Sequence, residues 1–143
     1  MQFGHLNRRD FISLIGSTAA WPLAARGQQA SKVPMVGFLG PSTPSAASPW
    51  AIAFEQRLRE LGWSEGRNIA LVFRWAEGRS ERYAEISSEF IRLNVDVIVT
   101  IGGGALVAKQ MTSSIPIVFA VAADPLGSGL VSSLARPGGN ATG

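Results

Sequence analysis

The sequence predicts an α/β fold, a doubly wound parallel sheet covered by helices on both faces. Two observations carry this. Four short segments are nearly continuous in Val, Ile, Leu and Phe, the pattern of strands buried on both sides. A glycine- or proline-bearing turn and a stretch with helical apolar spacing follow each of them, so strand and helix alternate. Right-handed crossovers then give an expected strand order of 2-1-3-4. The switch point falls between the first and third strands, and ligands bind at the carboxyl ends of the strands there.

The elements follow in chain order. "VPMVGFL" (Val33 to Leu39) is a short apolar run ended by "GPSTPS", the mark of a buried strand. In "PWAIAFEQRLRELG", Trp50, Phe54, Leu58 and Leu61 recur at helical spacing, with Pro49 expected to open the helix and Gly62 to close it. A second strand is expected from Ile69 to Trp75. The next helix, "SERYAEISSEFIRLN", sets Tyr83, Ile86, Phe90 and Leu93 on one face, with Ser80 as the expected N-cap. Glu81 near its start and Arg92 near its end suit the helix dipole. "VDVIVTI" is the third strand and Ala105 to Thr112 the third helix. "IPIVFAVA" is a fourth strand and "GSGLVSSLA" a short fourth helix, and "RPGGNATG" closes the chain as turn chemistry with no element after it.

Composition bounds the chemistry. At 46% hydrophobic and 16% charged residues, the 143-residue chain is globular in type. It has no cysteine, which excludes disulfides, thiolate metal sites and cysteine nucleophiles. Its one histidine, His5, lies near the N-terminus, which argues against a Ser-His-Asp triad or a multi-histidine metal centre. No catalytic, metal-ligating or cofactor-binding group is expected. Of the net charge of +3, two units reside in the first 27 residues, where Arg8, Arg9 and Arg26 are opposed only by Asp10. Beyond them basic and acidic residues interleave as solvated helix faces, which argues against a nucleic-acid partner.

Residues 1–27 have the order of an export signal. Arg8 and Arg9 precede the apolar run from Phe11 to Leu23, and Ala25-Arg26-Gly27 is a small-x-small cleavage triplet. Cleavage after Gly27 leaves residues 28–143. The run is shorter than the roughly 20 residues of a membrane span, and Pro22 interrupts it. "NRRDFIS" is similar to a twin-arginine signal in Arg8, Arg9 and Phe11, though Asn7 stands where serine or threonine is usual. These features predict a periplasmic location and a partner in the twin-arginine export machinery.

The loops at the carboxyl ends of the strands hold the candidate binding residues. "GPSTPS" offers Ser42 and Thr43 beside backbone N–H groups, either as a nest for a small polar group or as a helix cap. Gly102, Gly103 and Gly104 let backbone come close to a ligand at a helix N-terminus, or simply make a tight turn. A phosphate loop is excluded in detail: the glycines do not form G-x-G-x-x-G, and Lys109 lies too far along for G-x-x-x-x-G-K-[ST]. Asp124, held extended by Pro125, either accepts from an amine or caps its own turn.

Taken together, "VGFLGPSTPS", "LRELGWSEGRNIALVFRWAEGRSERYAEI", "IPIVFAVAADPLGSGLVSSLARPGGNATG" and the leader resemble the periplasmic substrate-binding proteins of ABC transporters, in the group related to tryptophan- and tyrosine-type binding proteins. The resemblance runs from Arg8 to Gly143. It implies the N-terminal lobe of a type 1 periplasmic binding fold, a small-molecule solute held in a cleft between two lobes, and an ABC transporter permease as membrane partner. It puts Ser42, Thr43, Gly102, Gly103, Gly104, Asp124 and Pro125 on the cleft rim. Members carry Thr, Pro or Ser around the glycine turn, so Gly-Gly-Gly here offers backbone donors only. Members are about twice this length, so the second lobe is expected to be missing. The expected function is capture of an amino-acid-like or aromatic solute for import. The alternatives are a non-functional or purely interacting lobe, and an exported enzyme using Asp124.

Overall fold

The computed structural model describes residues 32–143, whose five strands form one parallel sheet in the order β2-β1-β3-β4-β5. The elements are β1 (Met35–Gly40), α1 (Pro44–Glu60), β2 (Ala70–Trp75), α2 (Arg82–Leu93), β3 (Val97–Thr100), α3 (Gly104–Met111), β4 (Ile117–Phe119) and β5 (Ala141–Thr142). The central register pairs Phe38 of β1 with Phe73 of β2 on one side and with Val99 of β3 on the other. Val99 in turn pairs with Val118 of β4. The expected order 2-1-3-4 is present, extended by a fifth strand. The export residues Arg8, Arg9, Phe11 and Gly27 lie outside the described residues.

Strand periodicity assigns each side chain to a face. Gly37 and Leu39 point one way: a Cβ on Gly37 would meet the Phe90 ring of α2 at 2.7 Å, and one on Gly104 of α3 would meet Leu39 at 3.0 Å. Leu39, Ile86, Phe90, Ile98, Ile117 and Phe119 form the buried core on this α2–α3 side. Burying such side chains fully stabilises by roughly 1.5–3 kcal/mol each. Phe38 faces the other way, its ring centroid 5.4 Å from Phe54 of α1 and 5.2 Å from Phe73. Helix α1 is thus set against β1 and β2, with Trp75 also beside Phe38.

Four local expectations need correction. Helix α1 starts at Pro44, not Pro49: Thr43 is the N-cap, its hydroxyl accepting from the Ala46 N–H at 3.4 Å, and Pro44 occupies the first turn. Pro49 sits inside the helix, and the Ser45 carbonyl it leaves without an amide accepts from the Ser48 hydroxyl at 3.0 Å. Helix α2 is not capped by Ser80; Glu81 stands at the N-cap with helical dihedrals and no side-chain cap bond. The expected fourth helix does not form, and residues 125–129 make successive turns instead. Gly129 has φ +74, and Asp124 holds the segment by side chain and backbone rather than releasing it into a helix.

The fourth correction is the terminal strand. Asn140 donates from Nδ2 to the carbonyls of Thr112 and Ile115, both at 2.9 Å, and its own carbonyl accepts from the Ile117 N–H at 2.7 Å. Those bonds lay Ala141–Thr142 beside Ile117–Val118 as a parallel strand.

Candidate functional site: the carboxyl edge of the sheet

The glycine turn is built by β3 and α3. Gly102 has φ +71, a left-handed conformation in which glycine avoids the Cβ penalty. Its N–H donates to the Val121 carbonyl at 2.8 Å, which binds the turn to the loop after β4. Gly103 is the N-cap of α3 and is exposed, with the Tyr83 ring nearby. Gly104 is buried, because an added Cβ would meet Thr100 Oγ1 at 2.6 Å. So the triplet divides its work: Gly102 turns the chain, Gly103 presents open backbone, and Gly104 lets α3 approach the sheet. This eight-residue helix has no acidic residue in its first turn to offset its positive end, although the Ala105 N–H already donates to the Gly102 carbonyl at 3.4 Å.

Asp124 and Pro125 lie on the next loop along the same edge. Asp124 Oδ1 accepts from the Gly127 N–H at 2.8 Å, and its carbonyl accepts from Ser128 at 3.0 Å. The Pro125 carbonyl accepts from Val131 at 3.0 Å. The carboxylate is therefore a turn cap through one oxygen, and the residue remains exposed to solvent. Lys109 holds the far end of this loop, donating to the carbonyls of Gly129 and Leu130 at 2.7 and 2.8 Å. A lysine that cannot serve a phosphate loop is spent on loop architecture.

The loop after β1 is occupied by its own structure. The Thr43 hydroxyl caps α1 and bonds Ser45 at 3.2 Å. The Ser42 carbonyl accepts the Glu77 amide at 3.3 Å, and the Pro41 carbonyl accepts Gly78 at 2.8 Å, tying this loop to the "WAEG" turn after β2. Glu77 takes φ +56 and pairs with Arg82 at 2.7 Å. Thr43 thus acts as a cap, whereas among the described residues no hydrogen bond engages the Ser42 hydroxyl. The structure joins the glycine turn to the Asp124 loop by the Gly102–Val121 bond, and the Ser42–Thr43 loop to the Glu77 turn. Sequence reasoning missed Lys109, Asn140 and Glu77 as organisers of these loops; only the positive-φ requirement at Gly78 left a signal.

Among the described residues, one buried polar atom on this edge lacks a protein partner, Thr100 Oγ1, beneath Gly104. Among the described residues no group of three His, Cys, Asp or Glu side chains is arranged to hold a metal ion.

Comparison with known proteins places this edge in context. The family model described as ABC transporter substrate binding protein matches residues 51–143. The chain is 35% identical over 91 residues to a tyrosine-binding protein of Clostridioides difficile, covering 63% of this chain and 26% of that protein. Among solved structures, a conserved domain protein from Vibrio cholerae superimposes with a TM-score of 0.72 at 31% identity, over 78% of this chain and 38% of its own. An ABC domain from Streptococcus pneumoniae in complex with L-Trp gives 0.70 at 26% identity, over 77% and 37%. A ligand-free, open substrate binding protein with adhesive properties from Clostridium difficile gives 0.70 at 29%, over 76% and 37%. The chain therefore spans well under half the length of each of these relatives. With the family match covering most of the chain and the parallel sheet superimposing on these structures, the chain belongs to the ABC transporter substrate binding protein family.

Proposed function

We propose that this chain forms one wall of a solute-binding cleft, capturing an amino-acid-like or aromatic organic solute for delivery to an ABC transporter permease. The observation that carries the reading is the Gly102 N–H to Val121 carbonyl bond of 2.8 Å, which brings the open backbone at Gly103 and the Asp124 loop onto one rim. The N-terminus of α3 suits a solute carboxylate, and Asp124 Oδ2 suits a solute amine. Opposite charges on one rim fit a zwitterion better than a phosphate or a sugar. The names of two relatives, a tyrosine-binding protein and a protein solved with L-Trp, support an aromatic amino acid.

The role is binding without catalysis, and capture is completed by a second lobe closing over the first. The reading includes export to the periplasm through the twin-arginine machinery, with residues 1–27 removed and residues 28–143 forming the lobe. Ser42 contributes through its hydroxyl, while Thr43 and Pro125 act by shaping their loops.

Thermal-shift measurement of the protein against amino acids and aromatic acids tests the proposal. Binding to the folded state raises the midpoint with solute concentration. A rise with L-tryptophan or L-tyrosine and none with glucose is expected. A folded protein that responds to neither amino acid at millimolar concentration contradicts it.

A further inference from the structure

Strand β2 ends the sheet, and among the described residues β1 alone pairs with it. The Ala70 and Ala76 amides donate to the Pro34 and Gly40 carbonyls, so even-numbered residues direct their backbone groups to the β1 side. Alternation turns the N–H and C=O of Leu71, Phe73 and Trp75 outward. The stretch that carries them, Ile69 to Trp75, reads "IALVFRW", with one charge and no proline. Segments of that composition on a terminal strand add further strands through their unpaired backbone groups.

Two of these outward groups are already engaged, by side chains rather than by a strand. Glu65 Oε1 accepts from the Leu71 N–H at 3.2 Å. Arg74 Nη1 donates to the Phe73 carbonyl at 2.8 Å. The rest of that guanidinium is held by Glu89 of α2, which accepts from Nε at 3.0 Å and from Nη2 at 2.6 Å. Just ahead of the strand, the Ile69 carbonyl accepts from the Gly66 N–H at 3.0 Å. An antiparallel partner that paired directly with Phe73 would need both its N–H and its carbonyl, and Arg74 holds the carbonyl. Arg74 thus commits all three guanidinium nitrogens, one of them to a bond that attachment to α2 does not require. Among the described residues no hydrogen bond engages the outward N–H groups of Phe73 and Trp75.

We propose that the outer edge of β2 is a strand-pairing surface for a second copy of this chain, and that Arg74 and Glu65 hold it closed. A second copy fits because antiparallel pairing about a two-fold axis matches β2 with itself, outward N–H groups of one copy meeting outward carbonyls of the other. Removing both side chains releases the Leu71 N–H and the Phe73 carbonyl together and takes the charge off the edge. The surface runs along the side of the sheet and not across its carboxyl ends, so it stands apart from the solute reading.

Amide hydrogen exchange at Phe73 and Trp75 tests this, read by NMR at low and high protein concentration in the parent and in Glu65→Ala/Arg74→Met. In the double variant the proposal expects exchange at these two amides to slow about tenfold or more as concentration rises, with a dimer mass by light scattering. In the parent it expects no such dependence. Gly104→Ala, which disturbs packing away from this edge, is the control for association through partial unfolding. Exchange that does not depend on concentration at both amides of the folded double variant overturns the proposal. Equal slowing in the parent overturns it too, because the edge is then open already. Equal slowing in the Gly104→Ala variant overturns it in favour of association through a loosened fold. If the double variant lacks a cooperative thermal transition, Arg74→Met and Glu65→Ala are measured singly, and concentration-independent exchange in both overturns the proposal.

Discussion

Asp124 and Gly127 are joined by a 2.8 Å bond from the Gly127 N–H to Asp124 Oδ1, so one carboxylate oxygen shapes the loop. Asparagine preserves the acceptor and removes the charge. Asp124→Asn should therefore leave the unfolding midpoint nearly unchanged while weakening affinity for an amine-bearing solute by about 10–100-fold, the worth of a charged hydrogen bond. Asp124→Ala should in addition cost about 0.5–2 kcal/mol of stability, as loss of a cap does. Calorimetric titration beside denaturant unfolding separates the two. Undiminished affinity in the asparagine variant would make Asp124 a turn residue only.

Gly104 and Thr100 make a second pair. A methyl at position 104 meets Thr100 Oγ1 at 2.6 Å and Leu39 at 3.0 Å, so Gly104→Ala should destabilise by about 1–3 kcal/mol through overpacking. Thr100→Val removes a buried hydroxyl with no protein partner and should be neutral or stabilise by about 1 kcal/mol. Urea unfolding of both variants checks this. A valine variant that loses stability would mean that the hydroxyl is satisfied by a bound water.

Lys109 donates to two carbonyls at the end of the Asp124 loop. Lys109→Met keeps the aliphatic stem and abolishes the donor. The expected loss is about 1–3 kcal/mol, accompanied by faster amide hydrogen exchange at residues 125–131 than in the rest of the sheet. Uniform exchange across the molecule would argue against a local clamp.

Arg74 and Glu89 form a 2.6 Å ion pair between β2 and α2. The hydrogen bond from Arg74 holds the Glu89 carboxyl below its ordinary value of 4.5. A depressed carboxyl stabilises the fold above the unfolded value, and the contribution disappears as pH falls through the folded one. The side chains are 40% and 31% exposed, so solvent screening limits the pair to about 1 kcal/mol or less. Glu89→Gln should lower the midpoint at pH 7 and converge with the parent protein below pH 4.5. A difference that persists undiminished at low pH would assign the effect to packing instead.

The sheet was legible because continuous Val and Ile runs have one reading once helices alternate with them. β1, β2 and β3 differ from expectation by only a residue or two at each end. The failures lie where a long-range bond decides. Gly127 and Gly129 are the local sign against a helix in "GSGLVSSLA", and the Asp124 and Lys109 bonds hold the segment in turns. Likewise Ala141–Thr142 is a strand only because Asn140 reaches the residue 112–115 segment. At the site, Gly102, Gly103 and Asp124 were legible as loop residues, whereas Gly104 opens α3. Which hydroxyls were already committed was not, because Thr43 as cap depends on where α1 begins, and Pro49 disguised that start.

The most direct test of the account is a two-dimensional ¹⁵N–¹H NMR titration of the protein with L-tryptophan, which detects weak binding to a single cleft wall. The account predicts saturable shifts concentrated at the amides of Gly102, Gly103, Gly104 and residues 124–128, with Trp50, Val99 and Val121 unaffected. Saturating solute that leaves those amides unmoved, or shifts confined to Trp50, Val99 and Val121, would contradict it.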